Sequence, residues 1–63
     1  MTDLMIALNK QLDALLITEV SLLGLLKSAI RYEPSEVANI RAEIYCTAIE
    51  ISNVRMAMNA AEI

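Results

Sequence analysis

Composition and charge exclude several classes of protein for this chain of 63 residues, which carries 5 basic and 8 acidic residues and a net charge of −3 at pH 7. It has one cysteine and no histidine, so an intrachain disulfide is excluded and a ferritin-like metal site is disfavoured. Yet 57% of the residues are hydrophobic, and a chain this short is marginally stable without a disulfide, a metal or a partner. We therefore expect another chain to complete its core.

The first predicted helix covers about residues 3–32. Its apolar residues recur at alternating spacings of three and four, interrupted only by one acid: Met5, Leu8, Leu12, Leu15, Glu19, Leu22, Leu26 and Ala29. This spacing places the side chains on one stripe of an α-helix and is typical of a seam between two packed helices. Thr2 or Asp3 can cap the helix by accepting amide hydrogen bonds.

Pro34 marks a turn at about residues 32–34, because proline lacks an amide hydrogen and disfavours helical geometry in the residue before it. Pro34 also suits the first position of a following helix. The polar Ser35 and the negative Glu36 then lie at the helix N-terminus, where free amides and the positive end of the helix dipole favour them. We therefore predict a second helix over about residues 34–62, returning antiparallel because the connection is short.

The second helix repeats the spacing of the first, again with one polar member: Val37, Ile40, Ile44, Thr47, Ile51, Val54, Met58 and Ala61. A turn centred on Glu33 pairs residues equally distant from it, which puts Glu19 opposite Thr47. The sequence thus predicts a single all-α domain over residues 1–63, an antiparallel two-helix hairpin whose two polar interruptions share a layer.

Other apolar residues lie outside this seam. The predicted partner interface consists of a second apolar row on the first helix and two residues flanking the seam on the second: Leu16, Val20, Leu23, Ile30, Tyr45 and Met56. An apolar sector wider than a two-helix seam requires further helices, from a second copy or from another protein. We expect a four-helix bundle or a helical heteromer.

Glu19 is a carboxylate at a seam position, so it needs a donor or a gap in the packing. Thr47 could donate to it across the hairpin, whereas Arg55 could reach it only from a second chain or in a displaced register. One interpretation is a polar layer that sets alignment and oligomeric state. The other is that Glu19 meets a basic residue of a different protein. We predict Glu19, Thr47 and Arg55 as register or specificity residues.

No residue pattern predicts an enzyme. Cys46 has no histidine to act as its base, and Glu43 and Glu50, seven residues apart, are typical of a solvated helix face. We expect no catalytic residue, cofactor, metal or small-molecule substrate.

Membrane insertion is disfavoured because the most apolar stretch, residues 14–26, is shorter than the ~20 residues of a span and contains Glu19. The N-terminus also lacks the basic region of a signal peptide, and the lone Cys46 agrees with a reducing compartment. We expect a soluble, cytoplasmic protein. A dimer of such hairpins resembles in architecture a plasmid regulator that binds paired RNA loops, but the acidic balance disfavours nucleic acid.

The opening residues 1–4, the leucine-rich first helix, the turn near residue 33 and the stretch Ala48-Ile49-Glu50-Ile51 resemble the small cochaperones of type III secretion needle proteins. Members of that family are helical hairpins of similar length that pair with a tetratricopeptide-like chaperone and keep the needle subunit unpolymerised. The resemblance implies that the apolar face docks on another protein.

We therefore predict a non-enzymatic protein–protein interaction module, a cochaperone or adaptor that covers an apolar partner surface. The alternative is a homodimeric four-helix-bundle regulator or inhibitor, such as a small mobile-element or phage protein.

Overall fold

The computed structural model describes residues 2–62, in which two long helices pack against each other. Helix α1 spans Asp3–Tyr32 and helix α2 spans Val37–Glu62, with one 3-10 turn at Pro34–Glu36 between them. Only Thr2 and Glu33 lie outside helical segments within this part of the chain, and it contains no strand. The fold is the all-α helical hairpin that the apolar spacing predicts.

Helix α1 is closed at both ends by local hydrogen bonds. Thr2 has extended backbone angles, and its Oγ1 accepts a hydrogen bond from the Met5 amide at 3.1 Å. At the other end, the Glu33 amide donates to the Ala29 carbonyl at 2.9 Å. Glu33 itself leaves helical geometry, with φ −140° and ψ 65°, because the proline that follows disfavours the α conformation.

The second helix begins later than predicted. We placed its start near Pro34, but Pro34–Glu36 form a 3-10 turn and α2 begins at Val37. The Glu36 amide donates to the Glu33 carbonyl at 3.0 Å, and the Val37 amide donates to the Pro34 carbonyl. Such i to i+3 bonds tighten the first turn, which lets the chain reverse direction over four residues.

The core lies along the predicted seam. Every member of both apolar rows is buried or half-buried, and the most buried residues are Leu22, Ala29, Thr47, Ile51 and Val54. Outside these rows, only Asn9 and Leu16 of the described side chains are half-buried and the rest are exposed. No described side chain is completely buried, so the hairpin has one thin layer of packing.

The molecule is elongated and exposes a large surface. Its extents are 46 × 14 × 10 Å and its radius of gyration is 14.6 Å, where a compact domain of this length would have about 11 Å. Its accessible surface is 4783 Å², compared with about 4,000 Å² for a compact protein of the same mass. The excess of roughly 700 Å² is surface that a lone hairpin leaves uncovered.

Candidate partner interface

The predicted second apolar row on α1 lies on the surface. Val20 is 69% exposed, Leu23 50% and Ile30 57%, while Leu16 is half-buried beside the seam. Leucine, isoleucine and valine side chains gain free energy when they leave water, at roughly 25 cal/mol per Å². Val20 and Leu23 lie one turn apart, and Ile30 lies two turns further along the same side of the helix, beyond Lys27. With Leu16 one turn before Val20, this side of α1 is suited to packing against another helix.

This row belongs to a longer stripe, which we call the outer stripe. Its members follow one another at alternating spacings of four and three: Asn9, Asp13, Leu16, Val20, Leu23, Lys27 and Ile30. Because consecutive residues of a helix are about 100° apart, the outer stripe lies about a quarter turn from the seam. This is the direction in which the next helix of a four-helix bundle packs.

Asp13 and Lys27 were not among the predicted interface residues. Both are exposed, and neither forms an ion pair within residues 2–62. Each lies seven residues from Val20, one on either side, so the outer stripe has an acid toward one end and a base toward the other. The outer stripe has the same alternation of three-residue and four-residue spacings as the seam, but its count starts at Asn9 instead of Met5.

The α2 residues of the predicted interface are also exposed, Tyr45 at 69% and Met56 at 64%. Tyr45 follows the seam residue Ile44 directly, as Val20 follows Glu19. In an antiparallel pair of helices these equivalent positions lie on the same side of the hairpin. Met56 lies two residues beyond Val54, and therefore farther from the outer stripe.

Apolar exposure extends beyond the predicted residues. Further large apolar side chains are exposed on both helices: Leu4, Ile6, Ile17, Leu25, Tyr32 and Ile49. Of these, Ile17 is as exposed as Val20, at 69%, and it lies on the far side of the outer stripe from the seam. The apolar surface of α1 is therefore wider than the sequence pattern predicts.

Glu19 is half-buried in the middle of α1, at its predicted seam position. No hydrogen bond or ion pair to its carboxylate occurs among the described residues. The carboxylate keeps contact with water rather than with a protein donor. A helix that packs beside the seam would remove this contact with water, so Glu19 is the seam residue whose solvation such packing would change most.

The suggested hydrogen bond from Thr47 to Glu19 is wrong. Thr47 is buried, and its Oγ1 donates instead to the Glu43 carbonyl at 2.8 Å. A threonine inside a helix can always reach the carbonyl four residues before it, and this local bond satisfies the hydroxyl without a partner on α1. Arg55 is exposed and forms no ion pair within residues 2–62.

Two open grooves lie near the turn. One, of about 260 Å³, is lined by Gly24, Lys27, Ser28, Arg31 and Tyr32. The other, of about 210 Å³, is lined by Leu25, Ser28, Ala29, Glu33, Glu36 and Ile40. Typical ligand pockets enclose about 300–1,000 Å³, so both grooves are small surface features.

The remaining candidates for chemistry are dispersed. Cys46 is a free, exposed thiol, and the side chains that the structure describes include no group of three acidic or cysteine residues placed to hold a metal ion. Neither α1 nor α2, over the residues described, combines the length and apolarity that a bilayer crossing requires.

Comparison with protein-family models, curated proteins and solved structures finds no match to this chain.

Proposed function

We propose that this chain is a non-enzymatic protein–protein interaction module that buries the outer stripe against helices of another chain. The observation that carries the proposal is the run of exposed apolar residues on α1, with Val20, Leu23 and Ile30 each at least half exposed. Single exposed apolar residues are ordinary on protein surfaces, but Leu16, Val20 and Leu23 lie on consecutive turns between Asp13 and Lys27, and an apolar patch with polar ends is typical of an interaction site.

The thin core supports the same function. The hairpin buries one layer of side chains between α1 and α2, and no described side chain is completely buried. Short chains with so little core gain stability from association, because the partner removes further apolar surface from water. Folding of the hairpin and binding of the partner are therefore coupled in this proposal.

With a foreign partner, the module is a cochaperone or adaptor. It covers an apolar surface of a second protein and prevents that surface from aggregating, as the resemblance to secretion cochaperones implies. We place this activity in the cytoplasm, where the exposed Cys46 stays reduced. No membrane or nucleic-acid partner and no small-molecule substrate is part of the proposal.

A homodimeric four-helix-bundle regulator is the second candidate, and one observation favours it. Asp13 and Lys27 are equally distant from Val20 on the outer stripe. Two copies of α1 packed antiparallel about Val20 bring the acid of each copy to the base of the other. No comparable feature of the outer stripe indicates which foreign protein would bind there.

The proposal is tested by Leu23→Glu, which places a charge in the middle of the outer stripe. Ile49→Glu is the matched control, because Ile49 is exposed to a similar extent, 44% against 50% for Leu23, but lies on α2 away from the stripe. The measurement is the mass of the tagged chain purified under native conditions, by native mass spectrometry.

We expect the unchanged chain in a stoichiometric complex, with a second copy or with another protein. Leu23→Glu should reduce the population of that complex at least tenfold, since placing a carboxylate among apolar side chains at an interface costs more than about 1.4 kcal/mol, whereas Ile49→Glu should leave it largely intact. A folded, monodisperse monomer without a stoichiometric partner contradicts the proposal.

A further inference from the structure

We propose that the outer stripe packs against the outer stripe of a second copy of the chain, with the two α1 helices antiparallel and a two-fold axis beside Val20. This inference rests on the proposed function and names its partner. The product is a four-helix bundle in which each hairpin covers the apolar face of the other.

The first support is the order of residues along the stripe. About a two-fold axis at Val20, antiparallel helices bring Val20 next to its equivalent and Leu16 next to Leu23 of the second copy. The same axis brings Asp13 next to Lys27 of the second copy, and the contact occurs twice by symmetry. The three central apolar residues thus pack together, and opposite charges meet on both sides of them.

The second support is that these charges have no partner inside the hairpin. Asp13 and Lys27 are exposed, and within residues 2–62 neither forms an ion pair. They are fourteen positions apart on one helix, about 21 Å at 1.5 Å per residue, so they cannot pair with each other in one chain. A parallel arrangement of the two α1 helices would instead bring each charge next to its own equivalent and be repulsive.

The surface area of the hairpin agrees with a dimer. The accessible surface of 4783 Å² exceeds that of a compact protein of this mass by roughly 700 Å². A standard protein interface removes about 800 Å² from each partner. The excess surface of the lone hairpin is therefore close to the area that each partner of a standard interface loses.

The α2 helices pack side by side in the same arrangement. With the register predicted from the turn, the two-fold axis passes between Tyr45 and Ala48 of α2. The large Tyr45 then packs against the small Ala48 of the second copy, and Arg41 lies next to Ser52 rather than next to a second arginine. Large residues therefore face small ones across this contact, as close packing requires.

Charge reversal tests this geometry. Asp13→Lys and Lys27→Asp, made singly, each replace two attractive contacts by two repulsive ones, so each should raise the dimer dissociation constant roughly tenfold. The double variant Asp13→Lys/Lys27→Asp restores both contacts with the signs exchanged and should return the constant to about the unchanged value. Sedimentation equilibrium over a range of protein concentrations measures all of these constants.

A mixture of the two single variants gives the sharpest result. In a dimer of one Asp13→Lys chain and one Lys27→Asp chain, both cross-chain contacts are attractive, so the mixture should associate more tightly than either variant alone. This rescue does not depend on whether each variant folds by itself. Lys10→Asp and Glu43→Lys are matched controls, because both reverse an exposed charge outside the stripe, and they should leave the constant within about threefold of its original value.

The outcomes separate this inference from the proposed function. A dimer that responds equally to stripe and control variants overturns the antiparallel geometry but leaves the interaction module intact. Aggregation or poor folding of the unchanged chain overturns the second copy as partner and favours a foreign protein. A folded monomer at every concentration that also lacks a foreign partner overturns both. The predicted pattern, loss in each single variant and recovery in the double variant and the mixture, supports both.

Discussion

Glu19 is the residue whose replacement distinguishes the possible partners most clearly. It is half-buried in the seam, and no group among the described residues donates to it. In the proposed dimer it lies one position from the two-fold axis, so the two carboxylates approach each other. This repulsion lowers the stability of the dimer. In exchange, a polar residue at a core position limits the registers and the partners with which the helices can pack.

We predict that Glu19→Leu stabilises the chain, by about 1–2 kcal/mol per chain, because an apolar side chain fills the seam and the repulsion disappears. Urea unfolding at fixed protein concentration measures the change. Glu43→Leu, at an exposed position of α2, should shift stability by less than about 0.5 kcal/mol. Loss of stability or of complex formation in Glu19→Leu would instead show that Glu19 pairs with a base of another protein.

Thr47 gives a second residue-scale prediction. Its buried hydroxyl is satisfied by the Glu43 carbonyl, and that carbonyl also accepts the helical amide bond of Thr47. Thr47→Val should therefore leave stability unchanged or raise it by up to about 1 kcal/mol, because a buried methyl group replaces a buried hydroxyl.

The chain offers a matched control in Thr18. This residue is exposed, and its hydroxyl makes the same type of bond, to the Ala14 carbonyl at 2.9 Å. Thr18→Val should change stability by less than about 0.5 kcal/mol. The difference between the two valine variants, measured by urea unfolding, reports the effect of burial alone. A loss of more than 1 kcal/mol in Thr47→Val only would mean that its hydroxyl serves a partner in the assembly.

At the scale of the element, one residue of α1, Gly24, lowers the stability of the helix. Gly24 lies in the interior of the helix, and a Cβ atom built there meets no other atom within 4 Å apart from its immediate helical surroundings. Glycine in a helix interior is less favourable than alanine by roughly 0.5–1 kcal/mol, because it loses more backbone freedom on folding.

Gly24→Ala should therefore raise the free energy of unfolding by about 0.5–1 kcal/mol, measured by urea unfolding. Ala42→Gly, at an exposed interior position of α2, should lower it by a similar amount. Weakened association in Gly24→Ala would contradict the proposed geometry, since it would mean that a partner's backbone packs directly against Gly24 rather than against the outer stripe.

The helices were predictable from sequence because both of them have apolar residues at the same alternating spacings of three and four. The structure buries or half-buries every member of the rows from Met5 to Ala29 and from Val37 to Ala61. The 3-10 turn was not predictable. Pro34 is compatible with the first position of either helix type, and only the path of the chain between α1 and α2 selects the tighter one.

The candidate interface was predictable in part. A two-helix fold leaves most apolar side chains outside the seam exposed, and Val20, Leu23, Ile30, Tyr45 and Met56 are exposed, whereas Leu16 is half-buried. The hydroxyl of Thr47 was assigned to the wrong acceptor, because sequence alone does not show whether a threonine bonds locally or across a hairpin. The proposed roles of Asp13 and Lys27 do not follow from the sequence pattern, because charged residues are ordinarily assigned to the solvated surface.

At the scale of the whole molecule, a hairpin of 46 × 14 × 10 Å has a thin interior, in which no described side chain is completely buried. The seam holds the two helices together, and we propose that the outer stripe places part of the remaining apolar surface against a second chain. If association supplies part of the stability, folding and dimer formation are one equilibrium, and thermal stability rises with protein concentration.

The most direct test is the molar mass of the unchanged chain over a dilution series, by light scattering, with circular dichroism on the same samples. We predict twice the 7.0 kDa of one chain at high concentration, and a parallel loss of mass and helicity on dilution. A helical species that keeps the mass of one chain at every concentration, with a melting temperature independent of concentration, would contradict the proposal that the outer stripe joins two copies.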